Sequence, residues 1–270
     1  MHNRWEYFSE DELRCKGTGE IHMNEEFMKK LIALRKEFNQ PMYITSGYRD
    51  GAYNEVIGGS SMSPDDIAAA NVADELASKS LIWSSRVKDF NDSGAGKVSI
   101  RALTLMIKPL YLAVKEQLKE NNSQLDPEVK TYEIIEAFWL GLESIFAKTI
   151  FDPLKQKEYG MMKSSQSEVM FKVLTFIFKV HILDWIDKFG VQDFGNLSDQ
   201  KTWVKILKQP LTSFKDNNTT GQAVTGHACW FVGRAGSMGT YTSSAAKRDI
   251  ATKLVKAIEL SHGVARSQVI

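Results

Sequence analysis

The sequence predicts a mainly α protein, with a short α+β segment at the amino end followed by an all-helical domain. Three observations carry that expectation. Apolar residues recur at spacings of three and four through most of residues 100–260, the period of a helix that buries one face. Ser9 and Asn24 stand just ahead of two earlier helical runs, where a side-chain oxygen can take up the free N–H groups of a first turn. Only the first 64 residues mix a helical pattern with a strand-like run, "PMYITSGY".

Taken in order, Ser9 and Glu12 form a capping box for a short helix. Asn24 caps a longer one, with Phe27, Met28, Leu31, Ile32 and Phe38 as its apolar positions. Pro41 opens the strand "PMYITSGY", and Gly58, Gly59, Ser60 and Ser61 mark a loop. From Asp65 the texture changes: "IAAANVADELASKSLIW" favours helix, and "NDSGAG" is a loop. Ile100, Leu103, Ile107, Leu110, Tyr111, Val114 and Leu118 then draw one stripe, with Pro109 expected to kink or divide it. Ile134, Ile135, Phe138, Leu142, Ile145 and Phe146 draw a second. Val169 to Ile186 is apolar nearly all round, and a shorter segment carries Trp203, Ile206 and Leu207. A polar, glycine-containing stretch precedes a last helix over Ala245 to Leu260. The predicted core includes Leu103, Phe138, Leu142, Phe176, Ile177 and Leu183. The expected division is 1–64 as the mixed segment and 65–270 as the helical domain, near the usual domain size.

The chain has 270 residues, 43% hydrophobic and 25% charged, with a formal net charge of +1. That composition is globular and excludes a disordered or collagen-like chain. The charge is uneven. Residues 1–64 hold 8 Lys/Arg against 10 Asp/Glu, and residues 221–270 hold 6 against 2. Cys15 and Cys229 form no C-x-x-C pair and read as two reduced thiols. "MHNRWEYFSEDEL" lacks the apolar core of a signal peptide. The most apolar stretch is broken by Lys172, Lys179, His181 and Asp184, which favours a buried helix over a membrane span. A cytoplasmic or virion location without membrane contact is the expectation.

One stretch carries a specific signal: "YFSEDELRCKGTGEIHMNEEFMKKLIALRKEFNQPMYITSGYRDGAYNEVIGGSSMSP". It resembles the start of the M15 family, the zinc D-Ala-D-Ala carboxypeptidases and phage-type peptidoglycan endopeptidases. The resemblance covers residues 7–64, about a fifth of the chain. It implies that Arg49, in the turn "SGYR", holds a substrate carboxylate or developing oxyanion, with Ser46 and Tyr48 shaping the wall. A guanidinium suits that work because its planar fork meets a carboxylate with two parallel hydrogen bonds. The other reading of Arg49 is an ion pair with Asp50 or Glu55.

The family continues with S-x-H-x-x-G-x-A-x-D, which supplies two zinc ligands, and carries a late H-x-[DE] element. Here the first reads "SPDDIAAANVAD", with Asp65 in place of the histidine, Ala68 of the glycine and Val72 of the aspartate. None of the five histidines (His2, His22, His181, His227, His262) sits in the late element. A catalytic zinc needs about three protein ligands and an open position for water. One carboxylate cannot supply them, and "HAC" at His227 and Cys229 is a weak substitute. The expectation is therefore no metal and no cofactor, zinc entering only if the degenerate site is rescued. The match is expected to stop near Pro64, with Met62 the start of a separate helical protein fused behind a peptidase fragment.

The pairs Asp65–Asp66 and Glu133–Glu136 read as solvated surface. "GRAGSMGTYTSSAAKRD" lacks the order of a nucleotide P-loop. It leads into a helix with Lys247, Arg248, Lys253 and Lys256, with Arg234, Trp230, Phe231 and Tyr241 nearby. This end reads either as a solvated basic helix face or as a grip on a nucleic-acid backbone with stacked bases. Two functions follow. One is a non-catalytic phage- or virus-type protein with a peptidase-like module facing peptidoglycan. If active, it would be a zinc-dependent M15-type peptidoglycan peptidase. The other is a helical nucleoprotein or coat-like assembly protein that self-associates and binds single-stranded RNA through its basic end.

Overall fold

The computed structural model divides the chain into two compact units, Met1–Ser63 and Pro64–Ile270. It describes residues 5–16, 18–39, 63–88, 98–189, 196–238 and 241–263, without the side chains at 156, 164, 165 and 180–189. The chain is mainly α, with eight α-helices and four short strands among the described residues.

In the first unit, α1 (Glu10–Leu13) opens with the expected capping box. The Glu12 amide donates to Ser9 Oγ at 3.3 Å, and the Ser9 amide donates to Glu12 Oε2 at 2.8 Å. Helix α2 (Glu25–Phe38) starts at Asn24, whose Oδ1 accepts from the Phe27 amide at 2.9 Å. It ends at Asn39 in the left-handed conformation, φ 46°, which Asn tolerates better than most residues. Trp5, Phe8, Leu13 and Met28 form a small core, with Leu31 and Ile32 packed on its edge. Phe27 and Phe38 are exposed instead of buried, so the apolar face of α2 is narrower than its spacing predicts. The strand "PMYITSGY", the loop at Gly58–Ser61 and the loop "NDSGAG" lie outside the described residues.

Among the described residues the second unit has six α-helices: α3 (Pro64–Lys79), α4 (Ile100–Glu120), α5 (Pro127–Phe146), α6 (Ser164–Phe189), α7 (Gln200–Ser213) and α8 (Ser244–His262). Their contacts close a ring: α3 packs on α4, α4 on α6, α6 on α8, α8 on α7, α7 on α5, and α5 back on α3. The starts of four are set by side-chain caps on the chain just ahead, at Ser99, Asp126, Asp199 and Ser243. Pro109 does not divide α4, which runs unbroken through it. Leu105, four residues earlier, is exposed, so the carbonyl that loses its helical partner lies toward the surface side.

Aromatic rings fill the middle of the ring of helices. Trp83 meets Trp139 edge to face at 4.9 Å, and Phe171 lies 5.8 and 5.7 Å from the two. Phe138 meets Trp203 edge to face at 5.2 Å, joining α5 to α7. Leu103, Phe138, Leu142 and Ile177 are in the core as expected, but Phe176 is only partly buried against it. The Leu183 side chain lies outside the described residues. Glu133 and Glu136 are brackets and not free surface. Glu133 takes Lys130 at 2.5 Å and Ser198 at 2.9 Å, while Glu136 accepts from Ser80 Oγ and the Leu81 amide.

Strands interrupt the helical pattern twice. β1 (Val87–Lys88) runs parallel to β2 (Val98–Ser99). β3 (Lys215–Asn217) pairs antiparallel with β4 (Ala223–Thr225), Asp216 opposite Val224. The hairpin falls within the polar, glycine-containing stretch ahead of the last helix. Asn218 Oδ1 gathers the amides of Thr220 and Gln222, both at 3.0 Å, and Gly221 supplies the positive φ of 81° that closes the turn.

Candidate functional site

Helix α3 carries the positions at which the sequence analysis looks for zinc ligands. Pro64 begins it, and Asp65 and Asp66 stand in its first turn, where carboxylates are favoured by the helix dipole. Both are engaged by lysines of α4. Asp65 Oδ1 accepts from Lys115 Nζ at 2.7 Å, and Asp66 Oδ1 from Lys108 Nζ at 2.5 Å. The hydrogen bond to Asp65 is the first cause holding the Lys115 ammonium above its usual pKa. One turn on, Ala68, Ala69, Val72, Ala73 and Leu76 are buried. Of the two ligand positions, 65 is partly exposed and ion-paired, and 72 packs into the helical core.

The donor chemistry does not fit zinc. Of the two ligand positions of the pattern, 65 offers a carboxylate already committed to an ammonium, and 72 offers only the alkyl side chain of Val72. Among the described residues no group of three or more His, Cys, Asp or Glu side chains is placed to hold a metal ion. His22 contacts Glu20 at 2.9 Å and His262 contacts the Ile206 carbonyl at 2.7 Å. The weak pair at His227 and Cys229 is split by burial. His227 is exposed near Tyr159 and Phe231, whereas Cys229 is fully buried with Sγ 3.5 Å from the Val224 carbonyl. Burial pushes the Cys229 thiol up in pKa, away from the thiolate that a metal requires. Ser46, Tyr48 and Arg49 lie outside the described residues, as does His2 and the His181 side chain.

The basic carboxyl end resolves into individual roles. Lys247 is nearly buried and reaches Glu168 of α6 at 2.5 Å. Lys253 lies 3.4 Å from Asp249 and donates at 3.1 Å to the Tyr241 hydroxyl, which itself donates to Asp216 at 2.9 Å. That chain ties α8 to the β3–β4 hairpin. Arg234, Arg248 and Lys256 are exposed, and none has an ion pair among the described residues. Of the rings expected nearby, Trp230 is buried in the core, and Phe231 is stacked on Tyr159 with centroids 4.9 Å apart.

Two lysines that the sequence reading treated only as interruptions of an apolar helix belong with this group. Lys172 and Lys179 of α6 both line a groove shared with Arg248. Their spacing of seven residues puts them on one face of a helix, and that was the available signal.

A family model described as Peptidase M15 matches residues 6–99. No curated protein and no solved structure matches the chain. The match extends the resemblance past its expected limit at Pro64, through α3 to the end of β2. Asp65, Ala68 and Val72 therefore lie inside the matched stretch, so the ligand pattern is missing within it and not beyond a break in it. No helix among the described residues is long and apolar enough to cross a membrane. At its amino end the chain carries an M15 peptidase-like domain.

Proposed function

We propose that this is a non-catalytic protein of phage or virus type, whose peptidase-like domain binds peptidoglycan without cutting it. The observation that carries the reading is α3: Asp65 is bound to Lys115, and Ala68 and Val72 are core packing positions. Restoring the ligand pattern would need a carboxylate at the buried position 72. Burying such a group without a partner costs several kcal/mol. The sequence "SGYR" keeps, at Arg49, a guanidinium suited to a peptide carboxylate beside Ser46 and Tyr48, which fits binding without hydrolysis. The test is sedimentation with purified, insoluble peptidoglycan. The chain should co-sediment and release no soluble fragments, with or without added zinc. Arg49→Ala should weaken co-sedimentation about tenfold, the worth of a charge-assisted hydrogen bond. Release of soluble peptides by the wild-type chain would overturn the reading.

A second reading, a self-associating assembly protein on single-stranded RNA, is favoured by one observation. Arg234, Arg248 and Lys256 are exposed cations outside any ion pair among the described residues. Lys247 and Lys253 are already matched by Glu168 and Asp249. Each phosphate neutralised on a single strand contributes a slope of about −0.7 in log affinity against log salt. Replacing Arg248 and Lys256 by glutamine should flatten that slope by about one unit, whereas Lys247→Gln should leave it unchanged. Binding insensitive to salt, or no binding to oligouridylate at low salt, would remove this reading.

A further inference from the structure

Between α4, α6 and α8 lies a groove of about 480 Å³, within the range of small-molecule sites. Its floor is Leu105, Met106 and Pro109 of α4, Phe171 and Phe176 of α6, and Ala251 of α8. Phe171 and Met106 belong to the core, while Leu105 is 64% exposed. The apolar surface thus runs without a break from the interior to the mouth. Aliphatic side chains make up most of it, which suits an alkyl chain better than a flat base.

The rim is cationic: among the described residues, Lys172, Lys179 and Arg248 surround one carboxylate, Glu168. Glu168 is already satisfied twice, by Lys172 at 3.3 Å on Oε1 and by Lys247 at 2.5 Å on Oε2. It has no charge left over for Arg248 or Lys179. Both of these are exposed and form no ion pair among the described residues. The hydroxyls present are turned inward: Thr175 donates to the Phe171 carbonyl at 2.8 Å and Thr252 to the Arg248 carbonyl at 2.9 Å. The groove therefore offers positive charge and apolar surface, and little of the hydrogen-bonding apparatus that would read a nucleobase or a sugar.

We infer that the groove binds a long-chain carboxylate. The alkyl chain lies along Leu105, Met106, Pro109 and Phe176, and the carboxylate meets the Arg248 guanidinium, whose fork matches it. Lys179 supplies the second charge. This site is independent of peptidoglycan binding and of the α3 segment.

Isothermal titration of the full chain with dodecanoate, kept below its micelle concentration, tests the inference. Saturable binding of one dodecanoate per chain is expected, about tenfold tighter than dodecanol through the charged hydrogen bonds. Dodecyltrimethylammonium should not bind. The double variant Arg248→Gln, Lys179→Gln should bind dodecanoate about tenfold more weakly with its thermal midpoint unchanged. Leu105→Asp, at an exposed position, should abolish binding by placing a like charge at the mouth. No saturable dodecanoate binding, equal binding of dodecanoate and the ammonium amphiphile, or an unaltered affinity in the double variant would overturn it. So would binding of oligouridylate, lost in the double variant, by a chain that does not take dodecanoate.

Discussion

Trp203→Ala is expected to lower the unfolding free energy by about 3–5 kcal/mol, the usual loss for a large aromatic removed from a packed core. Trp203 is fully buried, and its ring stands edge-on to Phe138 at 5.2 Å. Its indole N–H donates to the Leu197 carbonyl at 2.8 Å, which fixes the turn leading into α7. Truncation therefore leaves a cavity between α5 and α7 and an orphaned carbonyl beside it. Denaturant midpoints with an unchanged slope would report the loss. A change within about 0.5 kcal/mol, the range of surface substitutions, would mean that α7 does not close the ring on α5 as described.

The facing position gives the second large effect. Gly141 sits mid-helix in α5, where a glycine ordinarily costs about 1 kcal/mol relative to alanine. The reason for it is contact: a Cβ at 141 would lie 2.8 Å from Trp203 Cβ and 3.5 Å from the Gln200 carbonyl oxygen. Trp203 Cβ is fixed to its backbone, so α7 would have to move. Gly141→Val should destabilise by about 3 kcal/mol, the upper end of ordinary overpacking. The clash is tied to the backbone, because Trp203→Ala keeps the Cβ that a side chain at 141 would meet. A loss within about 0.5 kcal/mol in Gly141→Val, the range of surface substitutions, would contradict the close approach of α5 and α7.

These two residues also mark where the sequence was legible. Trp203, Ile206 and Leu207 announce one buried face of α7 by spacing alone, and the stripes of α4 and α5 do the same. The stripe of α6 could not be phased, because it is apolar nearly all round. Phe176 accordingly turned out half-buried in a groove wall and not in the core. The β3–β4 hairpin escaped because its strands are three residues long with one partly buried position each, too short to show alternation. Gly141 gave no warning, since nothing local reveals a Trp on another helix.

The candidate sites divide in the same way. The loss of the zinc pattern was readable at Asp65, Ala68 and Val72, because ligand chemistry depends on residue type at fixed spacing. That these positions are buried faces and ion pairs of α3 needed the fold. The extent of the peptidase-like match was misjudged, since past Pro64 the quoted motif fades while the matched stretch continues to residue 99. Charge counting found the basic end, but which cations remain available depended on carboxylates far off in the chain. Glu168 removes Lys247 from the set and leaves Arg248 beside Lys179.

Metal content tests the proposed loss of peptidase chemistry most directly. The full chain, purified without chelator and dialysed against micromolar zinc and then buffer, goes to elemental analysis. Far less than one zinc per chain is expected, because a single carboxylate held by Lys115 and a buried valine at the second ligand position cannot retain the ion. One tightly held zinc per chain, removable only by chelator, would contradict it.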